Sequence, residues 1–575
     1  MIEVRNSDGW QDLPEAWPEV IKRIMAARGI RQETDLQFAL ADLPSANLLT
    51  DMNAACQLLQ QAIEANWSIL IVGDFDADGA TSTALLTRGL HQFGLQNVRF
   101  MVPNRFVHGY GLTPQLLAEL PSKNQPDLLI TVDNGIASID GVAVAKQRGM
   151  RVLVTDHHLP GEQLPAADAI INPNQANDNF PSKALAGVGV AFYLLLGLRS
   201  YLNEQDWFAA NQKTPPRLVE LLDLVALGTV ADVVPLDKLN RSLVMRGLAR
   251  MRQGLACAGI NALLMITGKD RQRLSAQDLG FAIGPRLNAA GRMEDMGQGI
   301  ELLLTDDALF AEQSARLLDD INLQRRDVEQ TMQQQALNML AKIDLQSAES
   351  APLLTLYQPG WHQGVIGLLA SRLKERLHRP VIIFADGDPG ELKGSARSIH
   401  GVHIRDILAR VDSLHPGLIK RFGGHAMAAG LTLDKTNFAA LSDALLAVMQ
   451  TDIADDVFTR QRVSDGELTV KDINLDLAGK LPLLAPWGQG FAEPQFHGEF
   501  ALVDFRHVGQ QQDHLKLTIR LADNRVITAM AFKQTAPEWL RVNQTVLLHY
   551  RLDINEFRQQ QSLQFLVDEL LPVTV

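Results

Sequence analysis

Aspartates recur along this chain at one kind of position, directly after an apolar run. Residues 68–73 (SILIVG) lead into Asp74, Asp76 and Asp78 of VGDFDADG, residues 127–132 (DLLITV) into Asp133 of DNG, and residues 151–155 (RVLVT) into Asp156, His157 and His158. One Asp in such a place is an ordinary helix cap, and Asp78 or Asp133 alone would carry no more meaning than that. Three strand-like runs that each end in acid, one of them with paired histidines, need another reason. Carboxylates gathered at one rim repel one another unless cations sit among them. A mixed carboxylate and imidazole set suits Mn²⁺ or Mg²⁺ better than a thiolate-preferring metal. A calcium loop is the sharpest rival, because Asp74, Asp76, Asp78 and Gly79 occupy its positions one, three, five and six. Its twelfth position is Leu85 instead of a bidentate Glu, and a β run precedes it where a helix is required. The chain has no GxxxxGK(S/T) phosphate loop, no HExxH and no nucleophile elbow.

The elements that must hold these residues follow from hydrophobic pattern. Continuous apolar runs separated by amphipathic ones imply a parallel sheet covered on both faces, and ligands of such sheets bind outside the carboxyl ends of the strands. The acids therefore converge on one rim of an α/β domain. Residues 218–230 and 240–252 read as helices, and 305–344 as one long glutamine-rich helix without internal Gly or Pro, a connector. Residues 353–357, 365–377 and 380–385 repeat strand, helix and strand in a second, smaller α/β domain, with glycine-rich turns expected at 393–398 and 423–430. The last part is β-prone at 496–505, 514–521, 526–532, 546–552 and 563–570, with one short helical candidate at 537–542. Five strands with turn signals favour a small OB-like barrel. The expected division is 1–50, an N-terminal extension; 51–304, the catalytic domain; 305–350, the connector helix; 351–455, the smaller α/β domain; and 456–575, the OB-like domain.

Composition narrows the class. The chain has 575 residues, 46% hydrophobic and 21% charged, with two cysteines, Cys56 and Cys257, too far apart in sequence for a disulfide framework or a CxxC knuckle. No segment reads as a signal peptide or a bilayer span, so a cytoplasmic, non-membrane protein is expected. The formal net charge of -13 argues at first sight against nucleic acid, since phosphate binding favours Lys and Arg. That objection depends on where the acids lie.

Taken in order, VGDFDADG, TVDNG, TDHH and GTVADVVP resemble the motifs of the DHH phosphoesterase superfamily. GPRLNAAGR (284–292), WHQGVIG (361–367), SARS (395–398) and GGHAMAAG (423–430) resemble those of its bacterial RecJ branch, with the DHH-associated domain. The likeness runs from about residue 69 to residue 430, and the β-rich tail fits the OB-like domain of that branch. It implies a metal-dependent 5′→3′ exonuclease that degrades single-stranded DNA to nucleoside 5′-monophosphates, in DNA repair and recombination. By the same resemblance Asp76, Asp78, Asp133, His157 and Asp232 bind two Mn²⁺ or Mg²⁺ ions, with Asp133 bridging and Asp74 close by. Val72 stands where other branches carry a His, leaving Asp74 or water to complete one shell. His158 would face the scissile phosphate and Asp156 would orient an imidazole.

Metals alone do not hold a polynucleotide. Arg286 and Arg292 in GPRLNAAGR, and Lys393, Ser395 and Arg397 around SARS, are candidates for gripping backbone phosphates or a terminal 5′-phosphate. Gly423, Gly424 and His425 can offer backbone N–H groups and an imidazole. Arg105, Phe106, His108 and Tyr110 interleave basic and aromatic character, as base stacking requires, and Lys516, Arg520, Phe505 and Phe532 would extend the track along the barrel. The alternatives are a DHH phosphodiesterase or pyrophosphatase acting on small substrates, and a non-catalytic replication scaffold. Length speaks against the first and the intact Asp and His set against the second. Single-stranded DNA-binding protein and repair helicases are the partners the resemblance implies, with a monomeric chain expected.

Overall fold

Four-residue runs such as ILIV at 69–72 have no polar face, so they can only be the interior of a sheet covered on both sides. The computed structural model describes residues 2–36, 42–105, 107–121, 123–342, 351–509, 512–558 and 560–573. Packing divides the chain into two units, Met1–Gly291 with Asp295–Leu318 and Arg462–Val575, and Arg292–Glu294 with Asp319–Gln461.

In the first unit helix α1 (Glu19–Ala26) belongs to the N-terminal extension, whose strand Ile2–Val4 pairs in parallel with Arg462–Ser464 far along the chain. Strands β1 (Ile69–Val72), β2 (Val98–Met101), β3 (Leu128–Val132), β4 (Arg151–Thr155) and β5 (Ala169–Ile171) form an all-parallel sheet in the order β2-β1-β3-β4-β5. β1 and β3 are neighbours whose outgoing connections part to opposite sides, which opens a crevice at their carboxyl ends. Helices α2 (Ala77–Phe93), α3 (Gly187–Glu204) and α4 (Leu222–Ala231) are mutually packed and carry almost wholly buried sequences. Helix α5 (Gly284–Met293) follows a five-residue π-helical turn, Leu279–Ile283. The long helix α6 runs over Ala308–Lys342, and residues 343–350 of the expected connector lie outside the described residues.

The second unit places helix α7 (Ile366–Leu377) on a five-stranded sheet of β6 (Leu354–Tyr357), β7 (Val381–Asp386), β8 (Glu391–Arg397), β9 (Arg421–Gly424) and β10 (Ala428–Asp434), ordered β9-β10-β8-β7-β6. The glycine-rich segments expected as turns are mostly strand here. Residues 392, 394 and 396 are buried while their neighbours are not, and that period of two outweighs the turn preference of glycine.

Back in the first unit, helix α8 (Leu475–Leu484) precedes strands β11 (Phe496–Val508), β12 (His514–Arg520), β13 (Val526–Ala531), β14 (Thr545–Phe557) and β15 (Gln560–Pro572). They close into a barrel in the order β11-β12-β13-β15-β14, with β13 and β15 parallel. Residues 537–542 are turns and irregular backbone instead of the expected helix, with Leu540 buried from a segment too short to close a helical turn of its own. Among the described residues no helix is long and apolar enough to cross a membrane.

Candidate active site

β1 delivers three acids to the crevice. Asp76 does cap α2, its Oδ1 accepting from the amides of Asp78 (2.9 Å) and Gly79 (3.0 Å). Asp78 lies inside the first turn, and its two oxygens accept from Gly187 (2.6 Å) and Val188 (3.0 Å) at the amino end of α3. β3 ends at Asp133, whose φ of 61° lies in the left-handed region. Asn134 fixes that turn by donating from Nδ2 to the carbonyls of Val72 (3.0 Å) and Val132 (2.9 Å). α3 begins so close to Asp133 that a Cβ on Gly187 would sit 2.5 Å from the Asp133 Cβ. Asp232 caps the carboxyl end of α4 and is followed by Val233, also left-handed at φ 62°.

After β4, Asp156 organises the two histidines. Its Oδ1 accepts from the amides of His157 (2.7 Å) and His158 (3.1 Å) and lies 2.7 Å from His158 Nδ1, while Oδ2 accepts from the Ile136 amide (2.9 Å). The Tyr110 hydroxyl donates to the Asp133 carbonyl (3.2 Å) and stands 3.2 Å from His158 Nδ1, so this residue belongs to the crevice and not to a remote stacking loop.

Three trios present ligand atoms within 4.8 Å of one another: Asp133, His157 and His158; Asp78, His157 and Asp232; and Asp74, Asp76 and Asp133. Asp133 and His157 each belong to two of them. His157 Nε2 is 3.1 Å from Asp133 Oδ1 and 3.5 Å from Asp232 Oδ2. The contacts are close but misaligned: these three atoms, and Asp74 Oδ1, are buried without any hydrogen bond. Lone pairs that converge and find no proton are what a bound cation satisfies.

The electrostatics agree. Burial, reinforced by neighbouring carboxylates, raises Asp74, Asp133 and Asp232 well above the ordinary carboxylate range, and burial with the charge of Asp76 pushes Asp78 up to about 7 despite its two amide partners. Burial with the neighbouring His158 lowers His157 to about 4, so it is a neutral ligand at physiological pH. For Asp156 burial acts upward, but the hydrogen bond and charge of His158 outweigh it and hold the carboxyl low. His158 is conversely held above its usual value by Asp156, against the effect of burial. The site is thus a cluster of acids that cannot all ionise without added positive charge, beside one fixed His–Asp pair. Its donors are all oxygen or imidazole, which fits hard divalent cations such as Mn²⁺ and Mg²⁺.

Around this crevice Arg105 lays its guanidinium 4.1 Å from the Phe75 ring centre, with Asp74 and Asp76 opposing the lowering of its pKa by burial. Phe106 lies outside the described residues. His108 is engaged within its own loop, receiving the Asn104 amide (3.0 Å) and pairing with Glu119 (2.8 Å), so it is not a stacking platform. Arg286 donates to the Ala282 carbonyl (2.6 Å). In the same motif Asn288 accepts the Ala77 amide (2.9 Å), bracing the first turn of α2.

Within the second unit, Ser395 and Arg397 project from the same face of β8 onto the first turn of α7, 3.1 Å apart. Burial lowers Arg397 with no acid opposing it, a setting made for an anion. Arg292 donates to the Gly364 carbonyl (3.4 Å). Gly423 and Gly424 are strand residues paired with Gly430 and Ala429, and the His425 amide donates to Ala428 (2.8 Å), so that amide is not available to a phosphate as expected. On the barrel, Lys516 and Arg520 share an outward face. Phe505 is opposite the buried Leu517 and therefore points to the interior side, because a bulge at 502–504 shifts the register. Phe532 is exposed, edge-on to His514.

Asn134, Gly187, Val233 and Asn288 escaped sequence reading, which weighed residues that can ligate and not those that fix backbone. Asn134, Asn288 and Val233 had a signal, their place inside TVDNG, GPRLNAAGR and GTVADVVP.

Residues 68–229 match the DHH family, N-terminal domain, 350–451 the DHHA1 domain and 464–569 the RecJ OB domain. The chain is 48% identical over 565 residues to the single-stranded-DNA-specific exonuclease RecJ of Dickeya dadantii, covering 98% of this chain and 97% of that one. Two crystal structures of RecJ from Thermus thermophilus are similar over the whole chain. The complex with Mn²⁺ has a TM-score of 0.79 at 30% identity and is covered to 79%; that with Mg²⁺ has 0.74 at 28% and is covered to 78%.

Proposed function

The chain belongs to the RecJ family of single-stranded-DNA-specific exonucleases, and from that premise we propose that its β1–β3 crevice hydrolyses single-stranded DNA from the 5′ end. It is a metal-dependent phosphodiester hydrolase of DNA, with Mn²⁺ or Mg²⁺ as cofactor. The reading rests above all on the four buried donor atoms of Asp74, Asp133, His157 and Asp232 that have no proton to share.

Asp74, Asp76, Asp78, Asp133, His157 and Asp232 would hold two ions. Such ions clamp the scissile phosphate, lower the pKa of a bound water and stabilise the leaving oxygen. The chain supplies the rest. Asp156 fixes the His158 ring and favours its protonated form, which would present a proton to a phosphate oxygen. Tyr110 keeps that ring against the Asp133 turn. Neutral His157 ligates without competing for protons. Water would attack the phosphorus and the 3′ oxygen of the terminal nucleotide would leave with a proton, so the products are a nucleoside 5′-monophosphate and a shortened strand with a new 5′-phosphate. Arg105, Arg286, Arg292, Ser395 and Arg397 would hold the DNA backbone, Ser395 and Arg397 being suited to a terminal phosphate at the amino end of α7. Gly423, Gly424 and His425 lie across β10 from them and would add the His425 imidazole to that grip.

The division of labour is a catalytic domain at 51–304, connector at 305–350, DHH-associated domain at 351–455 and strand-binding OB-like domain at 456–575, behind the 1–50 extension. Action on DNA supports a cytoplasmic setting, roles in repair and recombination, and single-stranded DNA-binding protein and helicases as partners of a monomer. Incubation with Mn²⁺ of long single-stranded DNA, the same sequence as duplex, pyrophosphate and a cyclic dinucleotide tests this. Hydrolysis of the single strand alone is expected; preference for a small substrate, or no hydrolysis at all, would overturn it.

A further inference from the structure

Asp232 ends α4, its amide still bonded to the Gly228 carbonyl (2.9 Å), but the chain leaves that last turn through a conformation that does not hold itself. The next residue, Val233, is β-branched, 64% exposed, and left-handed at φ 62°, where a glycine is the usual helix terminator. Such a conformation persists only where surrounding structure over-determines it.

The surrounding structure comes from residues 487–492, between α8 and the barrel. Gly488 and Phe491 exchange backbone hydrogen bonds (3.0 and 3.1 Å) around Gly490, φ 71°, making a tight turn. Its Gln489 carbonyl accepts the Leu236 amide (2.7 Å), and Gly488 lies so near that a Cβ there would meet Leu236 Cδ1 at 2.7 Å. Arg241 completes the clamp, donating to the Leu236 carbonyl (2.8 Å) while its guanidinium covers the Phe491 ring at 4.2 Å. Both faces of the Leu236 peptide are thus held.

The turn is anchored in its own right. Trp487 stacks on Phe491 (5.3 Å between centres) and donates to the Leu481 carbonyl (2.7 Å). Arg28, just past the end of α1, lies over Trp487 at 5.2 Å, donates to the Ala492 carbonyl (2.6 Å), and forks onto both oxygens of buried Asp465 (2.6 and 2.9 Å).

We propose that the 487–492 turn, with Arg241 and Phe491 as its positioning residues and Arg28 as its anchor, braces the 232–237 segment so that Asp232 is held in the metal centre. This gives the N-terminal extension a task in catalysis, and it rests on the assignment of Asp232 as a ligand. Loss of the brace releases Val233 toward an ordinary φ and lets the last turn of α4, which carries Asp232, fray out of the centre.

The test is Mn²⁺ binding to the full-length metal-free protein, followed by the electron paramagnetic resonance signal of free Mn²⁺, with metal-free thermal melting measured in parallel. Phe491→Ala and Arg241→Met are each expected to weaken Mn²⁺ binding about tenfold, the scale of a lost supporting contact. Adding Val233→Gly, which adopts the required φ without strain, is expected to restore most of that affinity. Phe491→Leu, which keeps bulk but not the ring face, serves if the alanine variant fails to fold and should weaken binding in the same direction. Unchanged Mn²⁺ affinity in the Arg241 and Phe491 variants would overturn the inference. So would a loss that follows a lowered melting temperature and is not restored by Val233→Gly. Asp232→Asn separates the two readings: if it too leaves Mn²⁺ binding intact, the ligand assignment itself fails.

Discussion

Asp74, Asp78, Asp133 and Asp232 share a buried volume in which ionisation of one opposes ionisation of the next. That repulsion has a measurable sign. Asp78 titrates near 7 in the fold, against about 3.9 for a free Asp, so between these values the native state binds more protons than the unfolded chain. Its stabilising contribution is present at low pH and lost as pH rises through 7. His157, lowered to about 4, acts in the opposite direction only below its free value of about 6.5. With EDTA, the melting temperature is therefore expected to fall from pH 6.5 to 8; saturating Mn²⁺ should abolish that fall, because cations replace the missing counter-charge. A flat or rising metal-free profile would count against the cluster. Asp74, Asp78 and Asp133 were legible because residue type and place after a strand coincide, whereas Asp232, at the end of a helix, was legible only through GTVADVVP. Asn134 and Val233 were not, since an amide bonded to two carbonyls and a left-handed φ leave no mark on residue type.

Between elements, the controlling fact is how near α3 starts to the end of β3. Gly187→Ala would place a methyl 2.5 Å from the Asp133 side chain and displace it. An ångström-scale shift costs roughly 10²-fold in rate; turnover should drop by about that factor while circular dichroism stays native. Normal turnover would show that Asp133 tolerates displacement. A second element-level prediction concerns the N-terminal extension. Asp465→Asn breaks a buried bidentate pair with Arg28 and should destabilise the first unit by about 3–5 kcal/mol, read by urea unfolding. The parallel sheet was readable from its apolar runs, and the barrel from five β-prone runs between turn signals. What pattern did not show is pairing across distance: Ile2–Val4 beside Arg462–Ser464, or the Gln489 carbonyl on Leu236, joins segments whose residues are ordinary in isolation. Helix α8 was missed for a related reason, since Pro482 stands inside it.

At the scale of the molecule, the net charge of -13 no longer opposes a nucleic-acid substrate. Asp74, Asp76, Asp78, Asp133, Asp156 and Asp232 are concentrated in one crevice, where cations reverse the local sign, while Arg397 is buried without an opposing acid in the second unit. What the overall charge does predict is weak attraction to duplex DNA, in keeping with an enzyme that must capture a free end. Sequence motifs gave the order of the parts, whereas the path of backbone that locks each ligand came only with the fold. The central claim is that this one crevice removes nucleotides from the 5′ end. Its most direct test is long single-stranded DNA labelled at the 5′ terminus and incubated with Mn²⁺ and either the wild-type chain or Asp133→Ala. The wild type should release the label first as mononucleotide, and a folded Asp133→Ala protein should be slower by roughly 10³-fold or more. Label retained on long fragments, or near-normal turnover by the folded variant, would contradict the account.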